Sequence, residues 1–270
     1  MSQKRDCINY QFGMLRRIIG LRPIGNLVNV RDDDFWLVSY PKSGNTWLRF
    51  LLANLSSENP VDFLSIERKI PDIYVNSIST FCSLPSPRLI KSHEAFNPQY
   101  KKVIYIVRDP RDVVISYWKH QQKMRKIPMD YPLEMFAEIF LRGELPVGSW
   151  KEHVGGWLGA KKDDEKFILV KYEDLLSDPE NVLRRIVNMF VDFPVKNDFS
   201  TAVSLSSFER MKVFEHSQSD KWRPLQNSDK RISFVREGRA GQWRDASTGN
   251  WTDKIWRQWE RLMIELGYEL

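Results

Sequence analysis

Lys42, Ser43 and Thr46 crowd around one glycine in the run Tyr40-Pro41-Lys42-Ser43-Gly44-Asn45-Thr46-Trp47. The run brings a full positive charge and two hydroxyl donors to a single turn. Before it stand the mostly apolar residues Phe35-Trp36-Leu37-Val38-Ser39, and after it an apolar-periodic stretch through Trp47, Leu48, Phe50, Leu51, Leu52 and Leu55. That order predicts strand, tight loop, helix. The backbone N–H groups of such a loop and the positive end of the following helix face one point, which suits a phosphate or a sulfate. The Walker A pattern of Gly, four residues, then Gly-Lys-Ser/Thr is not met, because Lys42 precedes the only glycine. Nucleotide binding of the kinase or ATPase kind is therefore not the first reading. An ordinary strand-to-helix turn with a solvated lysine is the plain alternative.

Two further groups follow strand candidates. Lys91-Ser92-His93 closes the run Arg88–Ser92. A neutral imidazole can take a proton from an attacking hydroxyl, and a neighbouring ammonium keeps it neutral and stabilises oxygens that gain charge. A surface or capping histidine is the alternative. His120, His153 and His216 lack such neighbours and are read as structural. Arg108 ends the run Lys102–Val107, and Ser116 lies inside the helix that follows. An arginine fork and a serine hydroxyl together can hold a phosphate. The plain alternative is a helix start, with Asp109-Pro110 capping and Arg111 and Asp112 solvated, which leaves Arg108 unexplained.

The elements that must position these groups alternate. Strands are predicted at 88–92, 102–107 and 166–171 besides the first. Helices are predicted at about 111–124, 131–141, 149–159, 180–190 and 251–267, the fourth opened by Asp178-Pro179. The pattern implies an α/β fold, a central parallel β-sheet flanked by α-helices, with its ligand at the carboxyl ends of the strands. No Pro/Gly/Ser-rich linker divides the 270 residues, so one domain over 1–270 is expected. With 42% hydrophobic and 13% aromatic residues the chain is globular rather than disordered. No apolar run reaches membrane-span length, and the N-terminus leads into no signal-peptide core. The basic, apolar stretch 14–22 reads as a short docked helix. Cys7 and Cys82, without metal-ligand spacing, point to a reduced compartment. A net charge of +6 favours anionic ligands. No nucleic-acid motif accompanies it.

The loop at 40–47 resembles the phosphosulfate-binding loop of the sulfotransferases, especially the soluble cytosolic type, whose usual form is Tyr-Pro-Lys-Ser-Gly-Thr-Thr-Trp. Asn45 is its one departure. Lys91-Ser92-His93 resembles that family's Lys-Thr/Ser-His element, and the run Val107–Trp118 its 3′-phosphate-binding element. Lys171-Tyr172-Glu173-Asp174-Leu175 resembles the Tyr-Glu-Asp element, whose Tyr reaches adenine. Leu205–Met211 resembles a second adenine-site element, with Ser206 as polar contact and Phe208 as a stacking face opposite Trp47. Phe234–Trp243 resembles the Arg-Lys-Gly…Gly-Asp-Trp lid, with Glu237 in place of Lys and Gln242 in place of Asp.

The resemblance implies a P-loop-like fold and sulfuryl transfer from 3′-phosphoadenosine 5′-phosphosulfate (PAPS) to a hydroxyl or amine of a small molecule, without a metal. It implies His93 as general base, with Lys42 and Lys91 offsetting charge. The nucleotide would be held by Lys42, Ser43, Gly44, Asn45, Thr46 and Trp47, by Arg108 and Ser116, by Tyr172, Ser206 and Phe208, and by Val235, Arg236 and Gly238, with Glu237 excluded. A cytoplasmic protein with neither nucleic-acid nor membrane partner is expected. A nucleotide-dependent phosphotransferase and a non-catalytic nucleotide-binding protein are the rival readings.

The acceptor is expected among loops 60–87, 120–150 and 210–232. These carry Phe63, Tyr74, Phe81, Met124, Met129 and Tyr131, with Lys119, Lys123, Arg125 and Lys126 nearby. Segment 212–242 is expected to be a mobile lid with few apolar anchors before Phe234. Arg244, Thr248, Gly249 and Asp253 align with the family's dimerisation element, but Gly249 replaces its apolar centre, so a monomer or a different dimer is expected.

Overall fold

Among the described residues four short, mostly apolar strands form the centre: β1 (Phe35–Ser39), β2 (Leu89–Ser92), β3 (Lys102–Val107) and β4 (Phe167–Lys171). The computed structural model describes residues 29–236, 238–245 and 249–270. The predicted helix at 14–22, Cys7, Glu237 and Thr248 lie outside them.

All three strand pairings are parallel, in the order β2-β1-β3-β4. Trp36, Val38, Ile90, Val103, Tyr105, Val107 and Phe167 face one core, while Phe35, Leu37, Leu89, Ile104, Ile106, Ile168 and Val170 face the other. A sheet covered on both sides has no polar face, which is why its strands read as unbroken apolar runs.

Helices among the described residues are, in order, α1 (Asn45–Leu55), α2 (Ile66–Lys69), α3 (Ile78–Cys82), α4 (Pro110–Lys123), α5 (Leu133–Leu141), α6 (Trp150–Lys161), α7 (Tyr172–Ser177), α8 (Pro179–Met189), α9 (Phe199–Leu205), α10 (Phe208–Gln218) and α11 (Trp251–Glu265). α4, α5, α6 and α11 supply the first core; α1, α8, α9 and α10 supply the second. Predicted starts follow their caps. The Asp109 side chain accepts from the Arg111 N–H at 2.9 Å, and Asp178 accepts from Asn181 at 3.0 Å. α5 begins two residues later than expected because Pro132, in extended geometry, is its cap. No helix of the described residues is long and apolar enough to cross a membrane.

The chain leaves β1 for β2 on one side and returns past β1 to β3 on the other. The strand order therefore reverses beside β1, where the loops after β1, β2 and β3 share one edge of the sheet. That is the place where open parallel sheets bind ligands.

Candidate active site

The loop after β1 turns sharply. Lys42 sits at φ +70° and Gly44 at φ +97°. A side chain at Gly44 would meet the Tyr172 ring at 2.4 Å, so only glycine fits between this loop and α7. Gly44 also caps α1, which has neither a side-chain cap nor an acidic residue in its first turn. Its first N–H groups are thus left for an anion. Two buried side-chain donors nearby lack partners: the Ser43 hydroxyl and the Arg108 Nε. Orphaned buried donors at one place fit a missing oxyanion.

Lys42, Gly44, Asn45, Thr46, Trp47, Lys91, His93, Arg108, Ser116, Tyr172, Phe208, Val235, Arg236 and Gly238 line one cavity of about 400 Å³. Arg108 lies over the Tyr172 ring at 4.2 Å, and its outer nitrogen donates to Asp112 and to the Arg239 carbonyl. Arg236 donates to Gln242 at 3.1 Å.

Ser206 is not in the cavity wall. It is fully buried, its hydroxyl donating to Ala202 O and accepting from Asn54, while its carbonyl receives the Trp47 indole N–H at 3.0 Å. The expected adenine contact is instead the group that orients Trp47. Trp47 and Phe208 also do not stand apart as two faces of a slot. Their centroids are 4.6 Å apart and tilted by 38°. A base between them would need about 7 Å, two van der Waals contacts. Gly238 also packs against Phe208, where a Cβ would come within 2.3 Å of the ring. The two rings as they stand leave no slot for a base between them.

His93 is held from one side only. Its Nδ1 lies 2.8 Å from the Ser39 carbonyl and 3.1 Å from the Ser39 hydroxyl. A carbonyl only accepts, so Nδ1 carries the proton and Nε2 keeps the lone pair. Burial first, then Lys91, holds the His93 pKa well below the usual imidazole value, against the Ser39 hydrogen bond. The ring is neutral at physiological pH. Tyr74 stacks beside it at 6.2 Å. His153, buried behind it, lies 3.1 Å from the His93 carbonyl and 2.9 Å from the Tyr105 hydroxyl, a supporting place consistent with its structural reading.

Several residues were not legible as site members. Asp72 is ion-paired with Lys91 and lines the cavity; it stands on a short backbone bridge beside β2. Asp112 is fully buried rather than solvated. It accepts from Arg108, Gly241 N–H and Trp243 N–H, tying the segment after 238 to α4. Its place one turn after Arg108 was the available signal. Arg111 is buried too, paired with Asp109 and stacked on Trp243 at 3.6 Å. His120 lines the cavity and is not simply structural; burial, then Lys42, pushes its pKa far down.

Of the expected acceptor residues, Tyr74 reaches the cavity. Phe63 and Phe81 are core, Met129 is exposed and Lys123 is buried. The expectation of a poorly anchored 212–242 segment is corrected as well. Trp222 and Leu225 are buried within it, Lys123 pairs with Glu215 at 3.1 Å, and Glu215 accepts from the Phe234 and Val235 N–H groups.

Lys42 gives the site a pH dependence. Burial, then Arg236, Lys91 and Arg108, lower its pKa to about 7. The ammonium is half lost near neutrality unless an anion arrives. Binding of a phosphorylated nucleotide should therefore take up a proton. Affinity should hold below about pH 7 and fall by up to roughly tenfold per unit above it, the limit for one coupled proton. Calorimetry in buffers of different ionisation enthalpy measures the uptake. A pH-independent affinity from about 7 to about 9 would contradict this coupling.

The sequence matches the profile of the Sulfotransferase domain over residues 32–267. Human sulfotransferase 2B1 is 32% identical over 237 residues, covering 83% of this chain and 64% of the human protein. The chain thus spans just under two thirds of that relative. Cytosolic sulfotransferase 12 of Arabidopsis thaliana is 29% identical, covering 83% of this chain and 76% of the plant protein. A mouse sulfotransferase, SULT7A1, solved in complex with PAP, superposes with a TM-score of 0.66 at 25% identity, over 87% of this chain and 85% of that one. Retinol dehydratase, solved with androsterone and PAP, shares the fold with a TM-score of 0.69 at 21% identity, over 87% and 82%. A parallel sheet whose first loop opens onto a cationic cavity, joined to a profile match over most of the chain, places this protein in the sulfotransferase family.

Proposed function

We propose that the chain transfers a sulfuryl group from PAPS to a hydroxyl or amine of a small-molecule acceptor, as one domain working in the cytoplasm. The observation that carries this reading is one cavity holding both an uncapped helix start ringed by Lys42, Arg108 and Arg236 and a neutral histidine with its Nε2 lone pair free. PAPS, when bound, supplies an activated sulfuryl group. Ser43, Gly44 and Thr46 would hold its 5′ end with Lys42, while Arg108, Ser116, Arg236 and the Gly238 backbone would hold its 3′-phosphate. Trp47, Tyr172 and Phe208 form the apolar wall for the base. His93 Nε2 would accept the acceptor's proton as its oxygen or nitrogen bonds to sulfur and the bond from sulfur to the 5′-phosphate oxygen breaks. Adenosine 3′,5′-bisphosphate would leave with its charge met by Lys42, and Lys91, kept in place by Asp72, would offset charge on the sulfuryl oxygens.

The remaining wall includes Tyr74, Tyr117, His120, Gln121, Val147, Trp222, Pro224 and Phe234. Aromatic faces with a few polar tips suit a flat, largely apolar alcohol or phenol carrying a second polar group. A screen of such acceptors with labelled PAPS tests the proposal, and loss of label to water alone would count against it. Turnover should be unchanged in EDTA, because the charge in the cavity comes from lysine and arginine. Strict dependence on magnesium would move the reading to phosphoryl transfer.

A further inference from the structure

We propose that the Asn45 side chain serves the base rather than the nucleotide: it is a positioning residue that sets the tautomer and basicity of His93 through Ser39. This inference rests on the reading of His93 as general base. Asn45 Nδ2 donates to the Ser39 hydroxyl at 3.1 Å, and the same hydroxyl lies 3.1 Å from His93 Nδ1. Ser39 is fully buried and Asn45 only 4% exposed, so no solvent competes for these bonds.

The chemistry of the amide decides what it can reach. One of the two N–H donors on its nitrogen is given to Ser39, which turns the side chain back toward β1, and its oxygen has no partner. An amide oxygen accepts only and offers nothing to a phosphate oxygen. Asn45 thus contributes its backbone N–H to the anion loop, while its side chain runs backwards into β1. The threonine usual in the resembling loop carries no amide to span this gap.

The link has a direction. Ser39 presents two acceptors to Nδ1–H, its carbonyl and its hydroxyl oxygen. With Asn45 donating, the hydroxyl turns a lone pair toward the amide and is a weaker acceptor for the imidazole. Without Asn45 the hydroxyl rotates freely. It can donate to Nδ1, which favours the tautomer with the proton on Nε2, the one unable to act as base. It can also accept more strongly from the protonated ring, which raises the pKa. Asn45 therefore keeps the hydroxyl from competing with the Ser39 carbonyl for Nδ1, and so helps to hold the lone pair on Nε2. It also couples the two halves of the site, because one residue opens the anion-binding helix and steadies the base.

Three measurements on Asn45→Ala, Ser39→Ala and the double variant separate this role from nucleotide binding. Long-range 1H–15N correlation spectra read the His93 tautomer and pKa in the free protein, with no nucleotide or acceptor. Asn45→Ala should raise the pKa and populate the Nε2–H form. Ser39→Ala, which has no hydroxyl left to donate to Nδ1 and keeps the Ser39 carbonyl, should hold the Nδ1–H form, and adding Asn45→Ala to it should change nothing further. With adenosine 3′,5′-bisphosphate, calorimetry on Asn45→Ala should give an affinity within roughly threefold of wild type. Turnover should fall roughly tenfold, as for one hydrogen bond, and the acid limb of kcat/KM should move to higher pH. An unchanged His93 spectrum in Asn45→Ala overturns the proposal. So does an affinity loss beyond tenfold with His93 unaltered, which would mean that the amide faces the nucleotide. Because the spectra need no reaction, a chain that failed to transfer sulfuryl groups would sink the functional reading and leave this test standing. Asn45→Thr, which restores the loop's usual residue and carries no amide, is read in the same way if Asn45→Ala does not fold, and an unchanged His93 spectrum in it overturns the proposal equally.

Discussion

Replacing His93 with alanine is expected to lower kcat by roughly a hundredfold to ten-thousandfold, the range for a general base. The affinity for adenosine 3′,5′-bisphosphate should stay within about threefold, because no interaction made only at the reacting centre contributes to nucleotide binding. The geometry behind this is one-sided. Nδ1 is occupied by Ser39, so the ring has one nitrogen to offer, and that nitrogen carries the lone pair. Burial and Lys91 keep it unprotonated, so no catalytic power is lost to an imidazolium at neutral pH. His120, also neutral and in the same wall, is the residue that could take over. Turnover above a tenth of wild type in His93→Ala, abolished by adding His120→Ala, would move the base to His120.

The second large effect is at Arg108. Arg108→Ala should weaken adenosine 3′,5′-bisphosphate by roughly a hundredfold to a few thousandfold, the worth of two charge-assisted hydrogen bonds. Adenosine 5′-phosphosulfate, which lacks the 3′-phosphate, should lose less than about threefold, since it has no group for the missing fork. The unpartnered Nε marks this arginine as awaiting an acceptor, while its outer nitrogen is already used on Asp112 and Arg239. Arg108→Lys keeps the charge but not the fork, and should recover only part of the loss. Equal losses for both nucleotides would mean that Arg108 acts by holding the 239–243 segment rather than by binding phosphate.

The sheet and the loops at its edge were readable because their signals are local. An apolar run before Pro41-Lys42-Ser43-Gly44 and a cap such as Asp178-Pro179 need no tertiary information, and strand and helix boundaries fall within about two residues of expectation. The misses are tertiary. α10 hid inside an expected loop because Val213 faces solvent at 65% exposure while Met211 is buried, so no apolar stripe forms. Trp222 and Leu225 read as stray apolar residues in a polar stretch until their packing is seen. Asp72 precedes Lys91 by a loop and one short helix, α3, and the backbone bridge to β2 brings them together. Ser206 matched in type and place but points inward, because Asn54, another buried polar group of α1, needed a partner. Asn45 looked like a weakened ligand since its bond to Ser39 spans the sharp turn that Gly44 permits.

The measurement that bears most directly on the central claim is a calorimetric titration of the protein with adenosine 3′,5′-bisphosphate beside ATP, both in EDTA. Lys42, Arg108 and Arg236 line the cavity, Lys42 proposed for the 5′ end and the two arginines for a 3′-phosphate. The bisphosphate should bind at least about tenfold more tightly than ATP, a difference of about 1.4 kcal/mol. ATP binding as tightly as the bisphosphate, or no heat with the bisphosphate at all, would contradict the assignment.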